Sequence, residues 1–408
     1  MSATTTHALS TSIVVVGLNA ALQKRFILPP NTNLERGNVH RAHKSETGVG
    51  GKGQDVGVAM SCLMSKEKQS RDDKVLLAQF LGQGPEGDAV SGALRLRRGL
   101  SDKLTVRNAA PLRTCTTIVG KDCATELVET SGEVTEQELE QLGKKIESLV
   151  SDGGKASGVC IMGSMPPGCG DDTYASLSEK MVGKDTLVLI DSVIGLDSLL
   201  KTLKTCFESD DREGGAVLKL NAAELCKLAG ADKSEAEKVT IEELTAATRG
   251  FLSKYECASS ALDYLCVTDG KFPGYLVEVP KDSTEEDKFN LIQLPATEIK
   301  GGMLFPIGAG DTVAAGTLAA WQYLHHEPQT GEDNFFGVVP KQVGSVLSAV
   351  KSKWLSDASS DERTIKMATS FAFGLSCGSA SCLQQENSVF NVDDALRYFS
   401  NMGSPMIQ

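Results

Sequence analysis

Phe305-Pro306-Ile307-Gly308-Ala309-Gly310-Asp311-Thr312 runs directly into the small and apolar residues Val313 to Ala320. That run has helical spacing, so it predicts a buried helix with Gly308 to Asp311 at its N-terminus. The first N–H groups of a helix lack internal partners and attract an anion. Glycine lets the backbone close on a phosphate, because no Cβ intervenes. Asp311, in the same turn, then stands beside such an anion, placed to take a proton from an attacking hydroxyl. The plainer alternative is a tight turn at Gly308 and Gly310 with Asp311 as an ordinary cap.

The rest of the chain supplies a frame for that turn. Ile13 to Val16, Val75 to Phe80, Gly158 to Met162, Leu187 to Ile190, Ala216 to Leu220 and Leu262 to Val267 are short apolar runs. Such runs suit strands of a parallel sheet covered on both faces. Between them Gln54 to Met64, Thr135 to Val150, Thr173 to Met181 and Ile241 to Tyr255 have helical periodicity. Strand and helix in alternation predict a three-layer, doubly wound α/β fold with a mostly parallel sheet.

Two stretches break the rhythm. Lys24 to Leu28 with Asn38 to Lys44, and Arg113 to Val119 with Ala124 to Glu129, read as strand pairs joined by polar turns. They predict a small β-sheet lid, near 24–44 and 113–129, able to exclude water from a reaction. Residues 1–11 read as a disordered leader and 12–408 as the folded domain. Polar stretches around the helical Lys341 to Leu355 mark a surface insertion near 327–361. Met367 to Leu383 and Val392 to Phe399 complete the chain as helices, and His325-His326 is expected on a loop.

Composition removes several function classes. With 41 basic and 53 acidic residues among 408 the formal charge is −12, which disfavours nucleic acid and anionic membranes as partners. No apolar run is long enough to span a bilayer. The eleven cysteines form no Cys-x-x-Cys pair and the five histidines no ligand spacing. Structural thiols in a reducing compartment fit best, so the cytoplasm is expected, with an organelle left open by the Ser/Thr-rich leader.

A second glycine cluster, Gly48-Val49-Gly50-Gly51-Lys52-Gly53-Gln54-Asp55, formally satisfies Gly-x-Gly-x-x-Gly. His40 to Thr47 ahead of it are polar and basic, however, where a dinucleotide fingerprint requires a buried first strand. No Gly-Lys pair precedes Ser or Thr, so there is no Walker-type loop either. Gly50-Gly51 can instead pack a substrate hydroxyl against bare backbone. Three more pieces follow predicted strands, where open α/β sheets bind ligands: Gly163-Ser164-Met165-Pro166-Pro167-Gly168, Lys219-Leu220-Asn221-Ala222-Ala223-Glu224, and Val267-Thr268-Asp269-Gly270 with Gly274. Each alone has a structural explanation: a proline turn, a helix cap by Asn221, a hairpin at Asp269-Gly270.

In order and spacing these pieces resemble the ribokinase-like (phosphofructokinase B) sugar kinases, from about Ile13 to Phe399. Gly50-Gly51-Lys52-Gly53 is similar to the first family signature and Gly308-Ala309-Gly310-Asp311 to the second. The 163–168 turn, Gly37-Asn38-Val39-His40-Arg41 and Arg113 most resemble the branch of 1-phosphofructokinases and tagatose-6-phosphate kinases. The resemblance implies ATP-dependent phosphoryl transfer to a sugar hydroxyl, with fructose 1-phosphate as a representative acceptor. Asp311 would be the general base, and the N–H groups of Gly308, Ala309 and Gly310 the anion hole. Asn221 and Glu224 would help hold Mg²⁺ through water. Lys219, Asn221, Thr268, Gly270 and Gly274 would line the ATP site. Asn19, Gly50, Gly51 and Asp55 would meet sugar hydroxyls, with Lys52 and Arg113 on the acceptor's own phosphate. Gln23, Asp55 and Leu220 depart from the family pattern. A free sugar or nucleoside as acceptor, and a non-catalytic sugar- or nucleotide-binding regulator, are the alternatives. A homodimer through the lid is expected from its open strand edges.

Overall fold

A computed structural model describes residues 12–64, 74–121, 124–209, 211–234, 237–281, 289–299, 304–326, 338–357 and 361–407. The leader at 1–11 and the polar stretches 327–337 and 358–360 lie outside the described residues. In chain order the first elements are β1 (Ile13–Val16), β2 (Ala21–Ile27), β3 (Lys44–Gly50), α1 (Lys52–Leu63), β4 (Val75–Phe80) and α2 (Pro85–Gly92). Next come β5 (Thr105–Val106), β6 (Thr114–Val119), β7 (Ala124–Val128), α3 (Glu136–Gly153), β8 (Gly158–Met162), α4 (Thr173–Met181) and β9 (Leu187–Asp191). They are followed by α5 (Leu196–Cys206), β10 (Gly215–Asn221), α6 (Ala222–Leu228), α7 (Ile241–Lys254), α8 (Ala258–Ala261) and β11 (Tyr264–Thr268). The last are β12 (Gly274–Glu278), β13 (Leu291–Leu294), α9 (Ala309–His325), α10 (Lys341–Asp357), α11 (Glu362–Ser381), α12 (Val392–Ser400) and β14 (Met406–Ile407).

The large sheet has the order β14-β13-β12-β11-β10-β9-β8-β1-β4-β5. From β11 to β5 every pairing is parallel, while β12, β13 and β14 add antiparallel strands at one edge. Both faces are covered, as the apolar runs require. Ile13 and Val15 of β1 point into one core with α1, α9 and α11, and Val14 and Val16 into another with α3 to α7. Alternate side chains of a strand point to opposite faces, so four consecutive apolar residues feed both cores.

Helix boundaries follow local chemistry. Thr135 and Thr240 begin α3 and α7 with reciprocal capping boxes to Glu138 and Glu243. Asp361 caps α11, which starts five residues earlier than the periodicity predicts because Thr364 N–H finds the Asp361 carboxylate at 3.0 Å. His325 closes α9 instead of lying on a loop, and half-burial of its neighbour His326 pushes that imidazole down to about 4. No helix of the described residues is long and apolar enough to cross a membrane.

The second sheet has the order β3-β2-β6-β7, with a parallel β2–β6 pair at its centre. One strand differs from expectation. The partner of β2 is Lys44–Gly50, not Asn38 to Lys44, in the register Ala21↔Gly50 to Ile27↔Lys44. Gly50, expected with Gly51 at the opening of a helix, is the last residue of this strand, and glycine suits it because a Cβ there would press within 3.3 Å of the Gln23 backbone nitrogen. A strand therefore does run into the glycine cluster. It belongs to the small sheet, so the dinucleotide fingerprint fails on topology as well as on polarity.

Candidate active site

Parallel strands end together, and the ends of β9 and β10 bring charge to one place. Asp191, the last residue of β9, is 3% exposed. Its Oδ1 accepts from Lys52 Nζ at 2.9 Å and its Oδ2 from Lys219 Nζ at 2.6 Å. Burial opposes ionisation of Asp191, but the two ammonium groups prevail and hold its carboxyl below the usual carboxylate range. Lys52 also loses hydration, and Asp191 and Asp311 more than offset that, raising its pKa. Lys219 belongs to β10, whereas Lys52 opens α1 from across the sheet, so only the tertiary fold makes this three-membered cluster.

Gly308 is the N-cap of α9, with φ +82° and no side chain capping the helix. Only glycine takes that left-handed turn at no cost, and it leaves the first amides of α9 free of a side-chain cap. Lys219 Nζ lies 3.7 Å from the place a Cβ on Gly310 would occupy, so the turn and the lysine face one another. Asp311, in the first turn, is 9% exposed. Burial and then the charge of Asp191 push its carboxyl up to about 7, partly offset by Lys52 and Lys219. A carboxylate with that value exchanges protons near neutral pH, which suits acid–base work.

Beside the lysine cluster is a cleft of about 290 Å³, lined in part by Asn19, Lys52, Arg113, Ser164, Asp191 and Glu224. Asn19 is fixed from two sides: its Nδ2 donates to Ser164 Oγ at 3.0 Å and its Oδ1 accepts from Ser131 Oγ at 2.8 Å. Arg113 donates through Nη2 to the Asn19 carbonyl at 3.0 Å. The floor is formed where α1 meets β1. A Cβ on Gly17 or Gly53 would collide with the opposing backbone, so two glycines permit that crossing. Gly50 and Gly51 lead into α1, and Asp55 lies one turn in, buried, its pKa raised well above the ordinary value first by burial and next by Asp311.

Thr268, Gly270 and Gly274 do not line this cleft. They sit at the β11–β12 hairpin, where Gly274 packs against Leu375 of α11. Asn221 and Glu224 form a capping box at α6, Glu224 Oε2 accepting from Asn221 N at 2.8 Å and Asn221 Oδ1 from Glu224 N at 2.7 Å. The described residues contain no group of three or more His, Cys, Asp or Glu side chains suited to a metal ion. Asn221 and Glu224 are hard oxygen donors at the cleft's edge, and contact through water is the mode Mg²⁺ tolerates with so few protein ligands.

Asp191 was not among the expected site residues, although a signal existed: an acid directly ending a wholly apolar strand, at the sheet edge where ligands bind. Ser164 lies in the 163–168 turn already singled out after a predicted strand, whereas Ser131, which also holds Asn19, has no comparable signal, because serines in polar turns are common.

Among solved structures, phosphofructokinase-2 from Escherichia coli in complex with potassium has a TM-score of 0.62 at 17% identity, covering 96% of this chain and 98% of its own. The same enzyme in complex with fructose-6-phosphate has a TM-score of 0.60 at 16% identity, covering 96% and 98%. Ribokinase from Arabidopsis thaliana, complexed with ribose and ATP, has 0.56 at 15% identity, covering 96% and 99%. At such identities the likeness carries the fold, here the ribokinase-like one. Residues 10–326 match the family described as pfkB family carbohydrate kinase, and the chain belongs to that family of ATP-dependent sugar kinases.

Proposed function

We propose that the protein transfers the γ-phosphoryl group of ATP to a hydroxyl of a hexose phosphate such as fructose 1-phosphate, with Asp311 as general base. The observation that carries this reading is the placement of Asp311. A buried carboxyl pushed up to about 7 stands in the same turn as Gly308 and Gly310, facing Lys219. In the transfer, Asp311 takes the proton of the attacking hydroxyl while the Gly308, Ala309 and Gly310 amides receive the charge on the moving phosphoryl group. Lys219 adds a cation on that group, and Asp191 holds its ammonium in place through the 2.6 Å ion pair. Asn19, Gly50, Gly51 and Asp55 position the sugar, and Thr268, Gly270 and Gly274 border the nucleotide. Mg²⁺, held by Asn221 and Glu224 through water, would neutralise the ATP phosphates. The small sheet serves as the lid that excludes water.

Lys52 already pairs with Asp191, so Arg113 is the cation left to grip an acceptor phosphate. The same engagement favours a second reading, in which the acceptor is a neutral sugar. ADP release with Mg-ATP across fructose 1-phosphate, fructose 6-phosphate, tagatose 6-phosphate, free hexoses, ribose and adenosine separates the two. Turnover on one hexose phosphate is expected. Arg113→Ala should then raise KM for that acceptor by about 10–100-fold, the loss of one charge-assisted hydrogen bond. Turnover on neutral sugars alone, or an unchanged KM in Arg113→Ala, would overturn the phosphorylated acceptor.

The outer edge of the small sheet supports a homodimer. Leu127 and Val128 on β7 are 58% and 55% exposed on an unpaired edge strand. Sedimentation should find a dimer that Val128→Lys shifts towards monomer; a monomeric parent protein refutes the association.

A further inference from the structure

The loop between α11 and α12 is gripped residue by residue, from the small sheet and from Arg98. Lys44 Nζ of β3 donates to Gln385 Oε1 at 2.7 Å, and Arg98 Nη2 donates to Glu386 Oε1 at 2.5 Å. Arg25 of β2 donates through Nη2 to Asn387 Oδ1, with both residues buried. The next residue turns the other way: Ser388 Oγ donates to the Gly308 carbonyl at 3.0 Å. Ser388 has φ +57°, a left-handed conformation that a serine adopts only under constraint. A Cβ on Gly308 would stand 2.5 Å from Ser388 Oγ and 3.0 Å from its backbone nitrogen, so loop and turn are in direct contact. Two neighbouring residues thus connect a strand of the small sheet to the turn that opens α9.

Arg25 is also an expensive residue to bury. Its second nitrogen reaches Glu46 of β3 only at 3.6 Å, and a buried guanidinium with one loose ion pair costs more than an apolar side chain of equal volume. Beside it lies a cavity of about 290 Å³, lined by Gln23, Glu46, Gly48 and Arg97 among others. The sheet therefore reaches the loop here through side chains and not through close packing.

We propose that Arg25 and Asn387 tether the small sheet to Gly308, so that the seating of the sheet over the acceptor sets the anion-hole turn. The inference rests on the proposed role of the Gly308 to Gly310 amides. Arg25 and Asn387 touch no reacting atom in it; they are positioning residues acting through Ser388.

The test uses the full chain with Arg25→Met, Asn387→Ala and the double variant. Amide hydrogen exchange at 308–311 is expected to quicken in both single variants, with the centre of α11 unchanged. On the acceptor identified by the panel, kcat should fall about 10–100-fold in each, the scale of a displacement near 1 Å, with KM for ATP within about twofold. The double variant should be no slower than the worse single one, because the two residues make one contact. Arg97→Ala, which alters the same cavity away from the contact, should keep full activity. Unchanged exchange at 308–311, or kcat losses that multiply in the double variant, overturns the tether. Asn387→Ala leaves the Arg25–Glu46 pair intact and keeps the test open if Arg25→Met folds poorly. Should the parent protein phosphorylate no sugar, the kinase reading fails at that point, and hydrogen exchange alone decides the tether.

Discussion

Asp311→Asn lowers kcat by about 10²–10⁴-fold, the usual contribution of a positioned general base, while ATP affinity changes little. Asparagine keeps the shape and the helix-terminal position but cannot accept the hydroxyl proton. The loss should come without a loss of stability. Burial and the Asp191 charge raise the Asp311 pKa to about 7, so the folded state carries a penalty for ionising it. That penalty is absent at acid pH and grows as pH rises from the ordinary carboxylate range to about 7. Asp311→Asn removes it, so the variant's Tm at pH 8 should equal or exceed that of the parent. The same shift sets the rate profile: kcat/KM of the parent should fall as pH drops through about 7, where the base becomes protonated. An Asn variant with near-parental turnover, or a flat profile between pH 5.5 and 8, would remove Asp311 from the role.

The second large effect is expected at Asp191. Asp191→Ala leaves Lys219, whose side chain is 5% exposed, as a buried cation without its partner. Breaking a buried pair from one side costs about 3–5 kcal/mol. Lys52, with a side chain 44% exposed, can turn to solvent and adds little to that figure. Equilibrium denaturation reads the loss directly. Asp191→Asn keeps the volume and separates electrostatics from packing. Without the Asp191 charge, and with two lysines no longer neutralised, Asp311 should ionise more readily. Its activity profile should therefore move to lower pH. A profile that stays in place would mean Asp191 does not act on Asp311, whatever happens to stability.

The sheet edge illustrates which parts of the site are readable before folding. Asn221-Ala222-Ala223-Glu224 reads both as a helix cap and as a metal-binding pair, and the capping box is present with two reciprocal hydrogen bonds. A cap is a local object, made by residues three apart, so sequence suffices. Arg25, Asn387 and Asp191 are another matter. Arg25 and Asn387 are 362 positions apart, and Lys52 and Asp191 are 139 apart. Nothing in the neighbourhood of Arg25 marks it, and not Lys24 beside it, as the cation that reaches Asn387. Register, too, escaped the local signals at β3, where Gly50, which permits close contact with Gln23, looks the same as a loop glycine.

Local propensity and period were enough for the layered frame: apolar runs covered on both faces, helices between them, and the Gly308 to Asp311 turn at the head of a small-residue helix. Those features depend on side chains within a few positions of each other, so the local order of residues sets them. Tertiary structure decided the electrostatics. The value near 7 at Asp311 exists because β9, β10, α1, α6 and α9 converge, burying the carboxyl and bringing the carboxylates of Asp191 and Glu224 and two ammonium groups around it. Charge interactions and desolvation depend on distance and burial, and neither is a property of neighbouring letters in a chain.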